Sequence, residues 1–270
     1  MSQTAMVWVD GRLAGAGDAT VSVFDHGLLT GDGVFETLRV YRSAPFAARR
    51  HLDRLRQSAA GMGLPVPGPD VLRAAMDEVV AANGLVDGRL RITVTGGPTP
   101  LGSARAAVAP TVIVAGARLG SWPAAEPVIV VPWPRNDRGA LTGVKTISYG
   151  ENVVALAYAR ERGGGEAVFA NLAGELCEGS GTNVFVGVGG RLITPPLSSG
   201  CLAGVTRDLL IETVKVAEEP LPVAALATAD EAFLTSSTRE VHPIASVDGR
   251  PLPSVPGPLT QAAAAAFNAL

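Results

Sequence analysis

A mixed chain of α+β and α/β character, in two domains, is what three features of the sequence predict. Amphipathic helical stretches stand between runs of alternating strand pattern, a Gly-, Pro- and Ala-rich break falls near residue 120, and the second half is dense in short apolar strands. The 270 residues can hold two ordinary domains, and 47% hydrophobic against 17% charged residues is a globular balance with a sizeable core. The break divides the chain into a small α+β N-terminal domain at 1–117, an interdomain loop at 118–126, and a larger β-barrel-like C-terminal domain with flanking helices at 127–270. The 32 Gly and 20 Pro punctuate apolar runs without repeating, which marks turns and not low-complexity disorder.

The first domain opens on a hairpin, Val7-Trp8-Val9 and Arg12-Leu13 around the turn dipeptide Asp10-Gly11. Val21, Val23 and Phe24 form the next apolar piece, leading into Gly31-Asp32-Gly33, where glycine permits close backbone approach. Over 49–62 a helix puts Leu52, Leu55, Ala59 and Met62 on one face, with Arg54 at its edge. Arg54 there is either a surface arginine paired with a carboxylate or a charge-assisted anion contact. A second helix is expected from Asp70 as N-cap to Gly84, with Val71, Leu72, Ala75, Met76, Val79 and Val80 apolar. The segment 89–95 alternates as a strand whose Leu90, Ile92 and Val94 face inward, leaving Arg91 on the opposite face, where solvation is the ordinary state. A loop over 99–110 and a strand over 111–115 complete the half.

In the second half, Val128–Val131 is a buried strand, and the loop 132–139 carries Arg135 and Arg138, which are solvated charges or contacts for an acidic substrate. Lys145 sits between Val144 and Ile147 in a charge-poor stretch, so its ammonium is expected to be partly buried; burial favours the neutral amine, a nucleophile toward aldehydes, although a structural lysine is the ordinary alternative. A helix over 151–162, a strand at 168–170, a turn at 171–174 and a return through Leu176 lead to Glu178, a carboxylate with little positive charge nearby in sequence. Strand 182–188 turns at Gly189-Gly190 into 191–193. Gly204-Val205-Thr206 precedes a helical pattern, so backbone N–H groups and a hydroxyl meet at a helix N-terminus, an anion site. A strand ending at Thr235 brings Ser236, Ser237 and Thr238 together as a hydroxyl-rich turn, which is otherwise a plain ST-turn. The last helix spans about 259–270.

A net charge of −3 gives no electrostatic reason to bind nucleic acid, and no apolar run approaches the ~20 residues of a membrane span. Met1–Ala5 lacks the basic and apolar regions of a secretory signal, and two cysteines make no disulfide framework, which suits a cytoplasmic protein. Cys177 and Cys201 have no histidine near them in sequence and read as buried fillers, so no metal is expected.

Taken in order, Gly31 to Thr37, His51 to Leu55, the segment from Lys145, Glu178 to Phe185, Thr194 to Leu197, Gly204 to Arg207 and Thr235 to Pro243 resemble the class IV (fold type IV) aminotransferases, the group of branched-chain and D-amino-acid transaminases and aminodeoxychorismate lyase. The resemblance covers nearly the whole chain. It implies pyridoxal 5'-phosphate as cofactor, Lys145 as the Schiff-base lysine, and Glu178 as partner of the pyridinium nitrogen. It further implies that Arg54, Gly204, Val205, Thr206, Ser236 and Ser237 surround the phosphate. Thr37 lies on the substrate side, Arg91, Arg138 and Thr238 are substrate contacts, and Tyr149 lies near the lysine or phosphate unless it only packs. A small amine or amino acid is the implied substrate and a homodimer the implied assembly.

Within that group, chain length and the spacing of Lys145, Tyr149 and Asn152 resemble the lyase branch, which releases pyruvate and 4-aminobenzoate. A branched-chain or D-amino-acid transaminase with a 2-oxo acid acceptor is the alternative, and a non-catalytic ligand-binding member of the fold is a remote one.

Overall fold

The structure, a computed structural model, describes residues 5–270. Most of the segment read for a missing signal, Met1–Thr4, lies outside the described residues. Contacts divide the chain into two compact units, one comprising the chain up to Gly120 together with Val144–Tyr149, the other Ser121–Gly143 together with Gly150–Leu270.

The first unit runs β1 (Met6–Val9), β2 (Arg12–Gly15), α1 (His26–Thr30), β3 (Gly33–Tyr41), β4 (Ala44–Pro45), α2 (Ala48–Gly61), α3 (Pro69–Ala82), β5 (Gly88–Thr95) and β6 (Val112–Ala117). Its strands form an antiparallel sheet in the order β2-β1-β6-β5-β3-β4, with Val34 opposite Val94, Glu36 opposite Ile92 and Leu38 opposite Leu90. Period-two alternation sends Val34, Leu38, Leu90, Ile92 and Val94 to one face, where they are buried with Leu52, Leu55 and Ala59 of α2 and Leu72, Met76 and Val79 of α3. Helix α3 differs from expectation at its start: Gly68 is the N-cap and Pro69 the first helical residue, because the fixed φ of proline suits that position, so Asp70 sits in the first turn. Val71 faces solvent, and so do Val21, Val23 and Phe24, which form no strand.

The turn that feeds β3 is held by two acids, Asp25 buried and Asp32 partly buried. Asp25 accepts from the hydroxyls of Thr95 (2.8 Å) and Thr111 (2.7 Å) and from the Gly27 amide. Asp32 takes both Nε and Nη2 of Arg105, whose Nη1 reaches the carbonyls of Met62 and Gly63, so the loop between β5 and β6 is tied down. His26 donates between them, Nδ1 to Asp32 at 2.7 Å and Nε2 to the Gly102 carbonyl at 3.2 Å. With acceptors at both nitrogens the imidazolium is favoured, and the hydrogen bond to Asp32 is the main reason its pKa is raised.

The second unit runs β7 (Glu126–Val130), α4 (Gly150–Glu161), β8 (Glu166–Ala170), β9 (Leu176–Gly179), β10 (Asn183–Val188), β11 (Arg191–Thr194), α5 (Val205–Thr213), β12 (Ala217–Glu218), β13 (Glu231–Ser236), β14 (Glu240–Val247), β15 (Arg250–Pro251) and α6 (Pro258–Asn268). Its sheet has nine strands, in the order β12-β11-β10-β13-β14-β7-β8-β9 with β15 on β14. The parallel pair β7 and β8 is joined through the segment that contains α4, and β9 turns back into β10 at 179–182, where the Gly179 amide donates to Thr182 O. The sheet thereby curls into a half-barrel. Val128, Val168, Leu176, Val184, Val186, Leu234 and Ile244 fill it, and Phe185 stacks on its register partner Phe233 at 4.8 Å.

Helix α6 has no side-chain cap of its own. Buried Glu231 of β13 takes that place, accepting from the amides of Leu259 (3.0 Å) and Thr260 (2.7 Å) and from the Thr260 hydroxyl (2.7 Å). Glu231→Ala is therefore expected to lower stability by about 1–3 kcal/mol, since it leaves buried amide donors unsatisfied. A fall in the urea midpoint at constant m checks this, and an unchanged midpoint would mean that water replaces the carboxylate.

Candidate active site

The lysine lies in the first unit. Val144–Tyr149 runs along the start of β3: the Phe35 amide donates to Lys145 O at 3.0 Å, the Ile147 amide to Gly33 O at 2.9 Å, and the Lys145 amide to Ser58 Oγ at 3.1 Å. A Cβ at Gly33 would press on Val94 O and Ile147, which is why glycine stands there. Lys145 is half-buried with Nζ 4.3 Å from the centre of the Phe35 ring. Two further residues converge on that ring, Tyr149 edge-on at 5.2 Å and the Arg91 guanidinium over it at 3.8 Å. Thr37 is the register partner of Arg91 and shares the face of β3 that carries Phe35. Lys145, Tyr149, Arg91 and Thr37 are thus grouped on and around Phe35, away from the helices.

Alternation sends Glu36 to the other face. It is fully buried, takes Arg54 through Nε and Nη2 at 2.7 Å each, and takes His51 Nδ1 at 2.7 Å. Burial alone would raise its pKa, but the Arg54 charge and the hydrogen bonds from Arg54 and His51 outweigh it and hold Glu36 down to about 2. Burial, more than any neighbour, lowers the pKa of His51. Of the two readings of Arg54, the pairing with a carboxylate is present in the fold, and that carboxylate is one residue from Phe35.

The second unit holds the other sequence-derived candidates. Glu178 is at the end of β9, 14% exposed, with Oε2 accepting the Leu202 amide at 2.9 Å. The low-charge surroundings expected from its sequence neighbours are not what the fold provides. Arg135 lies over the Phe169 ring, and its Nε sits 3.3 Å from Glu178 Oε1, an ion pair whose N–H is not aimed for a hydrogen bond. The strand pairing that sets Glu178 opposite Phe169 brings the two charges together.

Leu202 also accepts, from Asn183 Nδ2 at 2.8 Å, so the backbone leading into α5 is fixed between Asn183 and Glu178. Gly204 caps α5 without a side-chain hydrogen bond, and a Cβ there would collide with Asn183 Oδ1. The first-turn amides of Val205 and Thr206, both buried, receive no partner from their cap. Ser236, Ser237 and Thr238 form the turn between β13 and β14: Ser236 Oγ accepts the Arg239 amide, the expected ST-turn, and Thr238 O accepts Trp122 Nε1 at 2.9 Å. Arg138 is 79% exposed and only 3.9 Å from Asp137, a surface charge in this fold. Burial pushes the thiols of Cys177 and Cys201 up, as expected of fillers. No metal-ligand cluster occurs among the described residues.

A half-buried amine in the first unit, and in the second a fixed carboxylate and a helix start with no side-chain cap, are each of the chemical type that a phosphorylated aldehyde with a basic ring nitrogen requires. The comparisons agree. The amino-transferase class IV family model matches residues 33–247. The chain belongs to the class IV aminotransferases. It is 35% identical, over 90% of its length and 88% of the relative's, to a Methanocaldococcus jannaschii protein provisionally named a branched-chain-amino-acid aminotransferase. It is 33% identical to the aminodeoxychorismate lyase of Bacillus subtilis, over 90% of this chain and 87% of that protein. Among solved structures, the Escherichia coli branched-chain amino acid aminotransferase superposes with a TM-score of 0.94 at 30% identity, covering 99% of this chain and 95% of that one. The fold type IV architecture is thereby established, and this class IV chain is a pyridoxal-phosphate-dependent enzyme.

In this class IV chain, Arg54→Ala strips the buried Glu36 carboxylate of its arginine partner and leaves it His51, and is expected to lower stability by about 3–5 kcal/mol, read as a drop in Tm. The depressed pKa of Glu36 contributes stability above the ordinary carboxylate range that is lost as pH falls through that range toward about 2. Acid titration of Glu36→Gln should therefore be flatter over that window than wild type, and parallel curves would remove Glu36 from the acid response.

Proposed function

We propose that the enzyme transfers the amino group of an α-amino acid to a 2-oxo acid, with Lys145 as the residue that holds pyridoxal phosphate. When bound, the cofactor supplies an aldehyde for amines and a ring that accepts an electron pair. Lys145, whose backbone is pinned at Phe35, Gly33 and Ser58 through its own segment, provides the amine for attachment and, once displaced by the substrate amine, the base that moves a proton at the substrate Cα. Glu178, held by Leu202 and Arg135, is assigned to the ring nitrogen. The Gly204-Val205-Thr206 helix start, Ser236, Ser237 and Arg54 are assigned to the phosphate. Arg91 over Phe35, with Thr37 beside it, is the substrate-carboxylate candidate, Tyr149 edge-on to the same ring is assigned to the surroundings of Lys145 and the cofactor, and Thr238 and Arg138 are secondary candidates, Arg138 the weakest for its exposure. A cytoplasmic homodimer belongs to the same reading.

The observation that carries the transaminase is the archaeal relative, 35% identical along most of both chains. A lyase that releases pyruvate and 4-aminobenzoate is the second reading, favoured by the 33% identity to the Bacillus enzyme and by the Lys145, Tyr149, Asn152 spacing. Chain length does not separate them, since this chain spans 88% of the one relative and 87% of the other.

Excess amino donor without acceptor should convert the bound cofactor to its amine form, with keto acid released in an amount equal to the cofactor converted. Equimolar pyruvate and 4-aminobenzoate from aminodeoxychorismate, with no such conversion by amino acids, would overturn the transaminase in favour of the lyase. Borohydride reduction should place a cofactor-sized adduct on Lys145. Lys145→Ala should lose the adduct and at least about 10³-fold in turnover, whereas Glu178→Gln should keep the adduct and still turn over far more slowly.

A further inference from the structure

The turn between β13 and β14 is shaped by a side chain that no sequence motif singled out. Arg239 is 8% exposed, and a buried guanidinium has five N–H donors to satisfy. Nη1 donates to Glu126 Oε2 at 2.6 Å and to His242 Nδ1 at 3.2 Å, and Nη2 donates to Gly165 O at 3.3 Å and lies 3.7 Å from Glu166 Oε2. The guanidinium lies over the Trp122 ring at 4.1 Å, and that indole donates Nε1–H to Thr238 O. Because a guanidinium only donates, His242 Nδ1 must accept. Its Nε2–H then goes to Pro123 O at 2.8 Å, which makes the imidazole neutral and fastens the strand-entry segment 122–126 to the turn.

The acids on Arg239 lead back to Glu178. Glu166 accepts the Ser180 amide at 3.1 Å and the Ser180 hydroxyl, and Ser180 stands two residues after Glu178. Ser180 O accepts Asn152 Nδ2, Asn152 Oδ1 accepts Arg135 Nη1 at 2.8 Å, and Arg135 pairs with Glu178. An unbroken series of polar contacts thus joins Glu178 to the turn 236–238, all within the second unit.

We propose that Arg239 is a positioning residue for the amino-group reaction: by pairing with Glu126 and Glu166 and carrying Trp122 onto Thr238, it fixes the turn 236–238 relative to the Glu178 strand end, so that the turn's amides and hydroxyls meet an anionic oxygen group in one geometry. This rests on the reading of that turn as part of the cofactor and substrate site. The group held is a phosphate or a carboxylate, and the two are separated by experiment.

Arg239→Lys keeps the charge but cannot serve Glu126, Gly165, His242 and the Trp122 ring together. In folded Arg239→Lys, with the borohydride adduct on Lys145 still formed, either the pyridoxal phosphate Kd or the amino-donor KM should rise at least tenfold while kcat changes less than threefold. A rise in Kd assigns the phosphate, and a rise in KM alone assigns the carboxylate. Trp122→Phe, which keeps a smaller aromatic ring under Arg239 and removes the indole donor to Thr238 O, should show the same split at three- to tenfold and decides the matter if Arg239→Lys does not fold. Kd and KM both within twofold of wild type in the folded variants would overturn the proposal while the adduct upholds the assignment of Lys145. Absence of the adduct in wild type would overturn both.

Discussion

A carboxylate taken out of water must be paired, and this chain uses that requirement to join elements far apart in sequence. Asp25 gathers Thr95 and Thr111, Glu36 gathers His51 and Arg54, Glu166 gathers Ser180 and Arg239, and Glu231 gathers the first turn of α6. Apolar alternation fixes which face of each strand is inside, but it is indifferent to small shifts of a loop or a helix start. Directional bonds to a buried acid are not indifferent, so the acids set where the turns and helix ends stop.

The groups assigned to chemistry inherit that order at one remove. Phe35 is next to Glu36, so the ring under Lys145 is on a strand whose opposite face is locked by an arginine fork. Glu178 follows the same rule on its own strand: Leu202 holds one oxygen, and Leu202 is also what fixes the approach to α5. The Glu178 carboxylate and a helix N-terminus thus share one backbone residue, and Arg135 pairs with the other oxygen of Glu178.

The elements were legible in the sequence wherever period alone decides. The hairpin at Asp10-Gly11, the stripe of α2, the alternation of β5 and the Gly189-Gly190 turn all appear where the pattern puts them. Legibility failed where context overrides pattern. Val71 and the Val21 to Phe24 piece are apolar yet exposed, and Asp70 yields the helix start to Pro69. At the candidate site, Lys145, Glu178 and the Gly204 helix start were marked by local composition. The partners of these groups were not, because Arg135 reaches Glu178, and Arg54 reaches Glu36, through strand pairing and helix packing that no short window contains. Arg239 carried no signal beyond its neighbourhood to Ser236-Ser237-Thr238; the cue available was an arginine at a strand start in a chain with buried acids to pair.

The near-equal identity to a transaminase-named relative and to a lyase, 35% and 33%, follows from what the two reactions share. Both begin with the same demand on the protein: an amine to be displaced, a carboxylate at a ring nitrogen, an anion-binding helix start. The groups proposed for those roles here lie on hydrogen-bonded backbone: the Lys145 amide on Ser58, Glu178 on the Leu202 amide, and Gly204 against Asn183. On the face of β3 and β5 that carries Thr37, Arg91 and Phe35, the exposed Arg91 contacts the Phe35 ring and Thr93. On the proposed reading of Arg91 and Thr37, a change of substrate would fall on this face, while Glu36, buried on the opposite face, keeps its partners.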